Sequence, residues 1–350
     1  MKRHSRIFAL LLPVLAAAAC SKSSAPKPET PKPAAQAPPV NEAPAASPAS
    51  AASTPAPAPA QLAVKTQMRN VKFHLTDQAT AHLELIEGEL WPTGKNDIPS
   101  FDDKTSFEVR VAAGKVSITP RSLAAILNGY VFAKSDAPLK DLAIAIDKDR
   151  LIIKGKLHSK GDLPFETVGT LSVNPDGRIR VVTEKVKAMH VSVKGVMGLF
   201  GLELAKMLDT SKIPGIDTEK NDLLMDLGTL LPPPHIRGKL TAVKLEPNAV
   251  ATCFGDAAAL ANSKPVPDAT GSYMAFEGNS VRFGKLTMAN ADLIVLDLDP
   301  ADELDWNQDH YGDQLLAGSS KMTSTFGMRA YVKDYDKLAR GGATPPPGGF

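Results

Sequence analysis

Residues 70–90 read NVKFHLTDQATAHLELIEGEL, and this stretch decides the fold. Apolar side chains alternate with polar ones on both sides of the polar residues 76–78, as in two β-strands joined by a tight turn. Because alternate residues of a strand point to opposite faces, the apolar side chains share one face. The stretch therefore predicts a β-hairpin with one face in water and the other in a core.

The same pattern recurs along the chain. Residues 174–177 read Asn-Pro-Asp-Gly, a strong turn signal between two such strands. Strands joined by short turns run antiparallel, so the sheet is predicted to be mainly antiparallel. The further predicted strands are 107–111 and 115–119 (a second hairpin, turning at 113–114), 142–146 and 151–157, 165–173 and 178–183, 186–193, 236–245, 280–283, and 285–298.

Two predicted helices interrupt the strands. The first begins at Thr119-Pro120, which supplies a capping hydroxyl and a proline for the first turn. The second covers 195–208, GVMGLFGLELAKML, and is apolar around almost its whole circumference, as in a helix that is buried in a core or contacts lipid. At this length it cannot cross a bilayer. We therefore expect an α+β fold, in which a long, curved antiparallel sheet wraps around one or two apolar helices.

The first residues predict export. A cationic start and a short apolar run end at Ala17-Ala18-Ala19-Cys20, which is typical of a lipoprotein signal peptide over 1–19. Cys20 is then the lipidation site that holds the chain to a membrane. Ser21 after it favours the outer membrane, facing the periplasm. The alternative is a plain secretory signal that happens to precede a cysteine.

Composition divides the rest of the chain. Residues 20–62 are dominated by Ala and Pro and contain no aromatic residue, which predicts a disordered tether with a reach on the order of 100 Å. A strand-rich domain is predicted over 63–338, with a subdivision allowed near 255–270. Residues 339–350 are predicted to form a disordered tail. The net charge of +2 and the lack of a basic patch with aromatic residues argue against a nucleic-acid partner.

Catalytic signatures are scarce. The chain has no GxSxG, HExxH, P-loop or CxxC motif, so no cofactor is predicted. His74 and His82 could face each other across the first hairpin. A third metal ligand is not evident, and no metal site is predicted.

The most acidic stretch is 297–313, DLDPADELDWNQDHYGD. Its oxygen donors suit calcium, but they do not follow the EF-hand order. Asp305, Asp309 and His310 could perform acid–base chemistry. A capped helix over 304–316, with acidic residues in its first turn, is the preferred interpretation.

The lipobox-like end of the signal, the Ala/Pro tether, the order of strands and the stretch 191–208, VSVKGVMGLFGLELAKML, resemble a known family. They are similar to the mycobacterial-type phospholipid-binding lipoproteins, relatives of the tubular lipid-binding (BPI-like) fold. The resemblance covers 65–250, with 280–335 as an added segment. It implies a curled sheet and a long helix that enclose an apolar groove for acyl chains, without catalysis. The implied groove residues are Val196, Leu199, Phe200, Leu204 and Met207.

We therefore expect a membrane-anchored envelope lipoprotein that binds a lipid or another amphiphile in an apolar groove. Two alternatives stay open. One is a structural adaptor that binds an envelope protein along an exposed strand edge. The other is a hydrolase that uses the acidic stretch 297–313.

Overall fold

The computed structural model describes residues 63–94, 98–158, 162–183, 187–188, 210, 213–219 and 222–338. All of them fall in one unit of the chain, residues 55–350. Of these described residues, 55% lie in strands and 13% in helices.

The larger sheet is built around the predicted hairpin and contains 11 strands in the described ranges. Its first three strands are β1 (Val64–Thr76), β2 (Ala79–Pro92) and β3 (Phe107–Ile118), which pair antiparallel in that order. Its other strands are β11 (His235–Arg237), β12 (Leu240–Glu246), β13 (Ala249–Phe254), β14 (Tyr273–Gly278), β17 (Ala291–Asp297), β18 (Leu304–Asn307), β19 (Ser319–Met322) and β20 (Met328–Val332). The order is β12-β13-β3-β2-β1-β14-β17-β20-β19, with β11 beside β3 and β18 beside β1.

One edge of β1 is shared by two partners. Residues 64–69 pair antiparallel with β14, and residues 71–74 pair parallel with β18. Asn70 lies between the two segments with a φ of 54°, a left-handed conformation that asparagine tolerates better than most residues. The strand can therefore change partners at this point.

The smaller sheet contains seven strands in the described ranges. They are β4 (Leu139–Asp147), β5 (Arg150–His158), β6 (Asp162–Val173), β7 (Ile179–Thr183), β8 (Lys187–Ala188), β9 (Ile216–Glu219) and β10 (Asp222–Met225). The order is β4-β5-β6-β7-β10-β9, with β8 beside β6. A separate ribbon pairs β15 (Val281–Phe283) with β16 (Leu286–Met288).

The described helices are short. They are α1 (Pro120–Ile126), which continues as a π-helical turn over Leu127–Val131, α2 (Leu227–Leu230), α3 (Ala257–Asn262), α4 (Tyr311–Leu316) and a 3-10 turn over Tyr335–Lys337. The predicted start of α1 is confirmed: the Thr119 hydroxyl accepts a hydrogen bond from the Ser122 N–H at 3.1 Å, and Pro120 occupies the first helical position.

The two sheets bury their apolar faces in a common core, whose largest cluster of buried residues draws on both. The predicted α+β fold, a curved sheet wrapped around apolar helices, is therefore wrong. Strands of alternating polarity give each sheet one apolar face, and the two faces cover each other. The predicted helix at 195–208 lies outside the described residues.

Most predicted hairpins are confirmed, and the sheets are mainly antiparallel as expected. At 174–177 the Gly177 N–H donates to the Asn174 carbonyl, and Gly177 has a φ of 79°. The predicted hairpin at 107–119 is wrong, because this segment is the single strand β3. Gly114 there serves packing and not a turn, since a Cβ at this position would lie 2.7 Å from Ile86 Cδ1.

Candidate functional site

An apolar cavity lies between the two sheets. The volume of the cavity that is open to a water-sized molecule is about 180 Å³. One water molecule needs roughly 10–15 Å³ by the same measure, and close-packed protein interiors contain few voids larger than a water. The space is therefore far larger than the gaps of an ordinary core.

The walls of the cavity come from the inward-facing positions of both sheets. Phe73, Leu83 and Val111 lie on β1, β2 and β3 of the larger sheet, and Leu171 and Val181 lie on β6 and β7 of the smaller one. These residues belong to the alternating patterns of their strands. The alternation of side chains that gives each sheet an apolar face therefore also lines the cavity.

Helical and connecting segments complete the walls. Leu123 on α1 and Leu127 in the π-helical turn line the cavity beside Phe132, and Leu227 on α2 lines it elsewhere. Asn128 holds the π-helical turn against β4, because its side-chain amide donates to the Leu142 carbonyl and accepts from the Leu142 N–H, both at 2.8 Å.

Polar groups are rare in these walls. Among the described lining residues, only Thr252 and Gln308 are polar, and none carries an ionisable side chain. The Thr252 hydroxyl donates to the Val116 carbonyl at 3.1 Å, and the Gln308 amide donates to the Phe101 carbonyl at 3.2 Å. Because burying an unpaired charge is costly, such walls select uncharged, apolar groups.

Asp305, Asp309 and His310 of the acidic stretch each contact different side chains. Asp305 is buried on β18, where it accepts hydrogen bonds from Lys72 Nζ at 3.0 Å and pairs with His74 Nε2 at 2.6 Å. Burial opposes ionisation, but these two partners hold the pKa of Asp305 below its ordinary value. Asp309 instead pairs with Lys104 at 2.6 Å, and His310 stacks on Tyr335 with ring centroids 5.1 Å apart.

The predicted capped helix over 304–316 is wrong as well. Leu304–Asn307 is a strand whose four residues are all buried, and the helix covers only Tyr311–Leu316. Gln314 on that helix hydrogen-bonds to main-chain groups of the strand. Its side chain accepts from the Asn307 N–H at 2.9 Å and donates to the Asp305 carbonyl at 2.7 Å.

The two histidines of the first hairpin do not lie directly opposite each other. His74 lies opposite Thr80, and His82 lies opposite Lys72. Each of them pairs with a carboxylate: His74 with Asp305, and His82 with Glu303, both at 2.6 Å.

Three carboxylates outside the cavity converge at one edge of the larger sheet. One oxygen each from Asp297, Asp302 and Asp334 lies within 4.8 Å of the others. Burial raises the pKa of Asp297 to about 6, and burial also raises the pKa of Asp334. Lys337 donates to Asp302 and Asp334, both at 2.9 Å, and hydrogen bonds to these carboxylates raise the lysine pKa.

The residues assigned to a groove by the family resemblance lie outside the described residues, as does Cys20, the predicted lipidation site. The cavity that is described is lined mainly by strand residues, which the sequence predicted as core positions and not as a site. The alternation of polarity was the available signal, but it does not distinguish a filled core from a hollow one.

Comparison of the chain with protein-family models, with curated protein sequences and with solved structures found no match. Among the described helices, none combines the length and the apolar character needed to cross a membrane.

Proposed function

We propose that the protein binds a lipid or another amphiphile, with the apolar part of the ligand in the cavity between the two sheets. The observation that carries this proposal is a large space whose described walls offer apolar side chains, two uncharged polar ones and no ionisable one. Ligand sites for apolar molecules are concave and mostly apolar, with few polar groups. Binding without catalysis accounts for the scarcity of catalytic motifs in the sequence.

The direct test is to purify the full chain from a bacterial host, extract it with organic solvent and identify bound lipid by mass spectrometry. The delipidated protein is then titrated with a fluorescent fatty acid. We expect bound lipid in the extract and saturable uptake of the probe. An extract without lipid, together with no saturable uptake, would refute the proposal.

Two neighbouring residues of β7 give a matched pair of variants. Val181 is 3% exposed and lines the cavity, whereas Val182 is 40% exposed on the other face of the strand. Val181→Phe narrows the cavity and is expected to weaken uptake of the probe. Val182→Phe adds the same ring outside and is expected to leave uptake unchanged. Equal effects of the two variants would place the probe elsewhere.

We also propose that lipid on Cys20 holds this binding domain to the cell envelope, on the side of the outer membrane that faces the periplasm. The support is the sequence before Cys20 and the Ala/Pro-rich tether after it. Cys20→Ala should move the protein from the membrane fraction to the soluble fraction of the cell. The wild-type N-terminal peptide should gain the mass of acyl groups such as palmitate, and a wild-type peptide of unmodified mass would contradict the anchor.

The adaptor alternative is supported by one surface. All four residues of β19 are exposed, including Met322, and this strand ends the described order of the larger sheet. Phe326 is exposed just after it. Such an edge can pair with a strand of another protein. A photo-crosslinker at Met322 should then capture one envelope protein reproducibly in cells, while a crosslinker at Tyr130, which is also exposed, should not. No reproducible product at Met322 would refute the adaptor role.

A further inference from the structure

Paired strands of the larger sheet position the carboxylates of Asp297 and Asp334, and a hydrogen-bonded connection positions that of Asp302. β17 and β20 run parallel, so their carboxyl ends meet at the same edge of the sheet. Asp297 is the last residue of β17, and Asp334 follows β20 by two residues. Asp302 lies in the connection between β17 and β18, where its carbonyl accepts from the Ser272 hydroxyl at 2.7 Å.

Each buried carboxylate uses one oxygen for the main chain and keeps the other free of it. Asp297 Oδ1 accepts from the Asp299 N–H and Asp334 Oδ1 accepts from the Asp305 N–H, both at 2.8 Å. Asp334 Oδ2 is bound to Lys337 at 2.9 Å. Asp297 Oδ2 is buried and has no hydrogen-bond partner in the described part of the chain.

This unpartnered oxygen points to a missing ligand. Asp297 is 7% exposed, and a buried carboxylate oxygen without a partner is a costly arrangement that native structures rarely keep. Lys337 cannot supply the partner, because its hydrogen bonds go to Asp299, Asp302 and Asp334. Four carboxylates thus face one ammonium group, which leaves an excess of negative charge.

We propose that Asp297, Asp302 and Asp334 form a binding site for a divalent cation of the calcium type. Oxygen atoms within 4.8 Å of one another can each lie 2.3–2.6 Å from a common calcium ion. Calcium accepts carboxylate oxygens in irregular arrangements and completes its shell with water, which suits one exposed and two buried ligands. The cation takes the position where Lys337 now bridges Asp302 and Asp334, and the lysine, whose side chain is 40% exposed, moves into solvent.

The first measurement uses Ca²⁺ alone on the full chain after treatment with a chelator. For a dissociation constant on the order of 1 mM, 10 mM CaCl₂ should raise the melting temperature by about 4 °C relative to NaCl of equal ionic strength. Asp297→Asn keeps the shape of the side chain and should abolish this shift. Asp309→Asn removes a carboxylate that pairs with Lys104 outside the site, and it should keep the shift.

Lys337→Met separates the proposal from its rival, in which the lysine is the permanent counter-ion. The variant keeps the aliphatic stem and removes the competing charge, so calorimetry should show Ca²⁺ bound about fivefold more tightly than by the wild type. If neither wild type nor Lys337→Met binds Ca²⁺, or if Asp297→Asn retains the shift, the proposal is refuted. Because the site lies outside the cavity, these outcomes are independent of lipid binding.

Discussion

Val181→Phe tests whether the space between the sheets is hollow. The substitution adds four carbon atoms to a side chain that is 3% exposed and lines the cavity. In a hollow site these atoms enter empty space and gain contacts with the apolar walls. In a filled core they collide with their neighbours. The two cases differ in the sign of the change in the free energy of unfolding.

The magnitude follows from the number of atoms buried. Burial of a methylene group contributes about 0.8 kcal/mol, so four carbons supply at most about 3 kcal/mol. Because a rigid ring fits the space imperfectly and loses rotamer freedom, we expect about half of this, or roughly 1.5 kcal/mol of stabilisation. Overpacking of a filled core instead destabilises by about 1–3 kcal/mol.

The assay is urea unfolding of the delipidated protein followed by circular dichroism, with Val182→Phe as the control. Val182 is 40% exposed, so its replacement should change the free energy of unfolding by less than about 0.5 kcal/mol. Destabilisation by Val181→Phe, with an unchanged control, would mean that the core is filled and that no ligand space exists at this position.

Three further predictions concern residues whose contacts stabilise the two sheets and the π-helical turn. Glu108 accepts hydrogen bonds from arginines on β3 and β11. Burial opposes ionisation of this carboxylate, but the two arginines lower its pKa in the folded state. The ionised side chain therefore stabilises the fold above its unfolded pKa, and this stabilisation is lost as the pH falls through the folded pKa. Glu108→Gln should therefore cost about 1 kcal/mol near pH 7 and nothing near pH 3, measured by urea unfolding at each pH, and a cost that does not change with pH would contradict this. Gly255→Ala should destabilise by more than about 3 kcal/mol in a thermal melt, because Gly255 has a φ of 70° and an added Cβ would lie 1.8 Å from the Ala112 carbonyl oxygen; a wild-type melt would show this geometry to be wrong. Asn128→Ala removes both hydrogen bonds to the main chain of Leu142 and should cost about 2 kcal/mol in urea unfolding, whereas a loss under about 0.5 kcal/mol would mean that the π-helical turn is held by packing alone.

Local patterns predicted the strands well where turn residues bounded them. The alternation in 70–90 and the Asn-Pro-Asp-Gly turn at 174–177 fix hairpins from neighbouring residues alone, and both are confirmed. Thr119-Pro120 likewise marked the start of α1. In contrast, Gly114 resembled a turn residue, although its role depends on Ile86 of another strand, which no local pattern reveals.

Long-range pairing explains the larger errors. The alternation in 304–307 suited a strand, yet Asp305 and the acidic residues before this segment suggested a capped helix start. The strand forms because β1 provides a parallel edge and because Lys72 and His74 neutralise Asp305. The expected sheet around helices failed for a similar reason, since periodicity predicts that a face is buried but not what covers it.

The change of partner at Asn70 has a consequence for the order of folding. β1 begins the described domain, but the residues that complete its edge lie far along the chain; Lys72 and Asp305 are 233 residues apart. Contacts of such separation form slowly, because a long loop must close before they contribute. A nascent or truncated chain that lacks β14 and β18 would therefore expose an open strand edge, which is a template for aggregation. The strands β14 and β18, which are synthesised late, are therefore needed to cover the edge of β1, which is synthesised first.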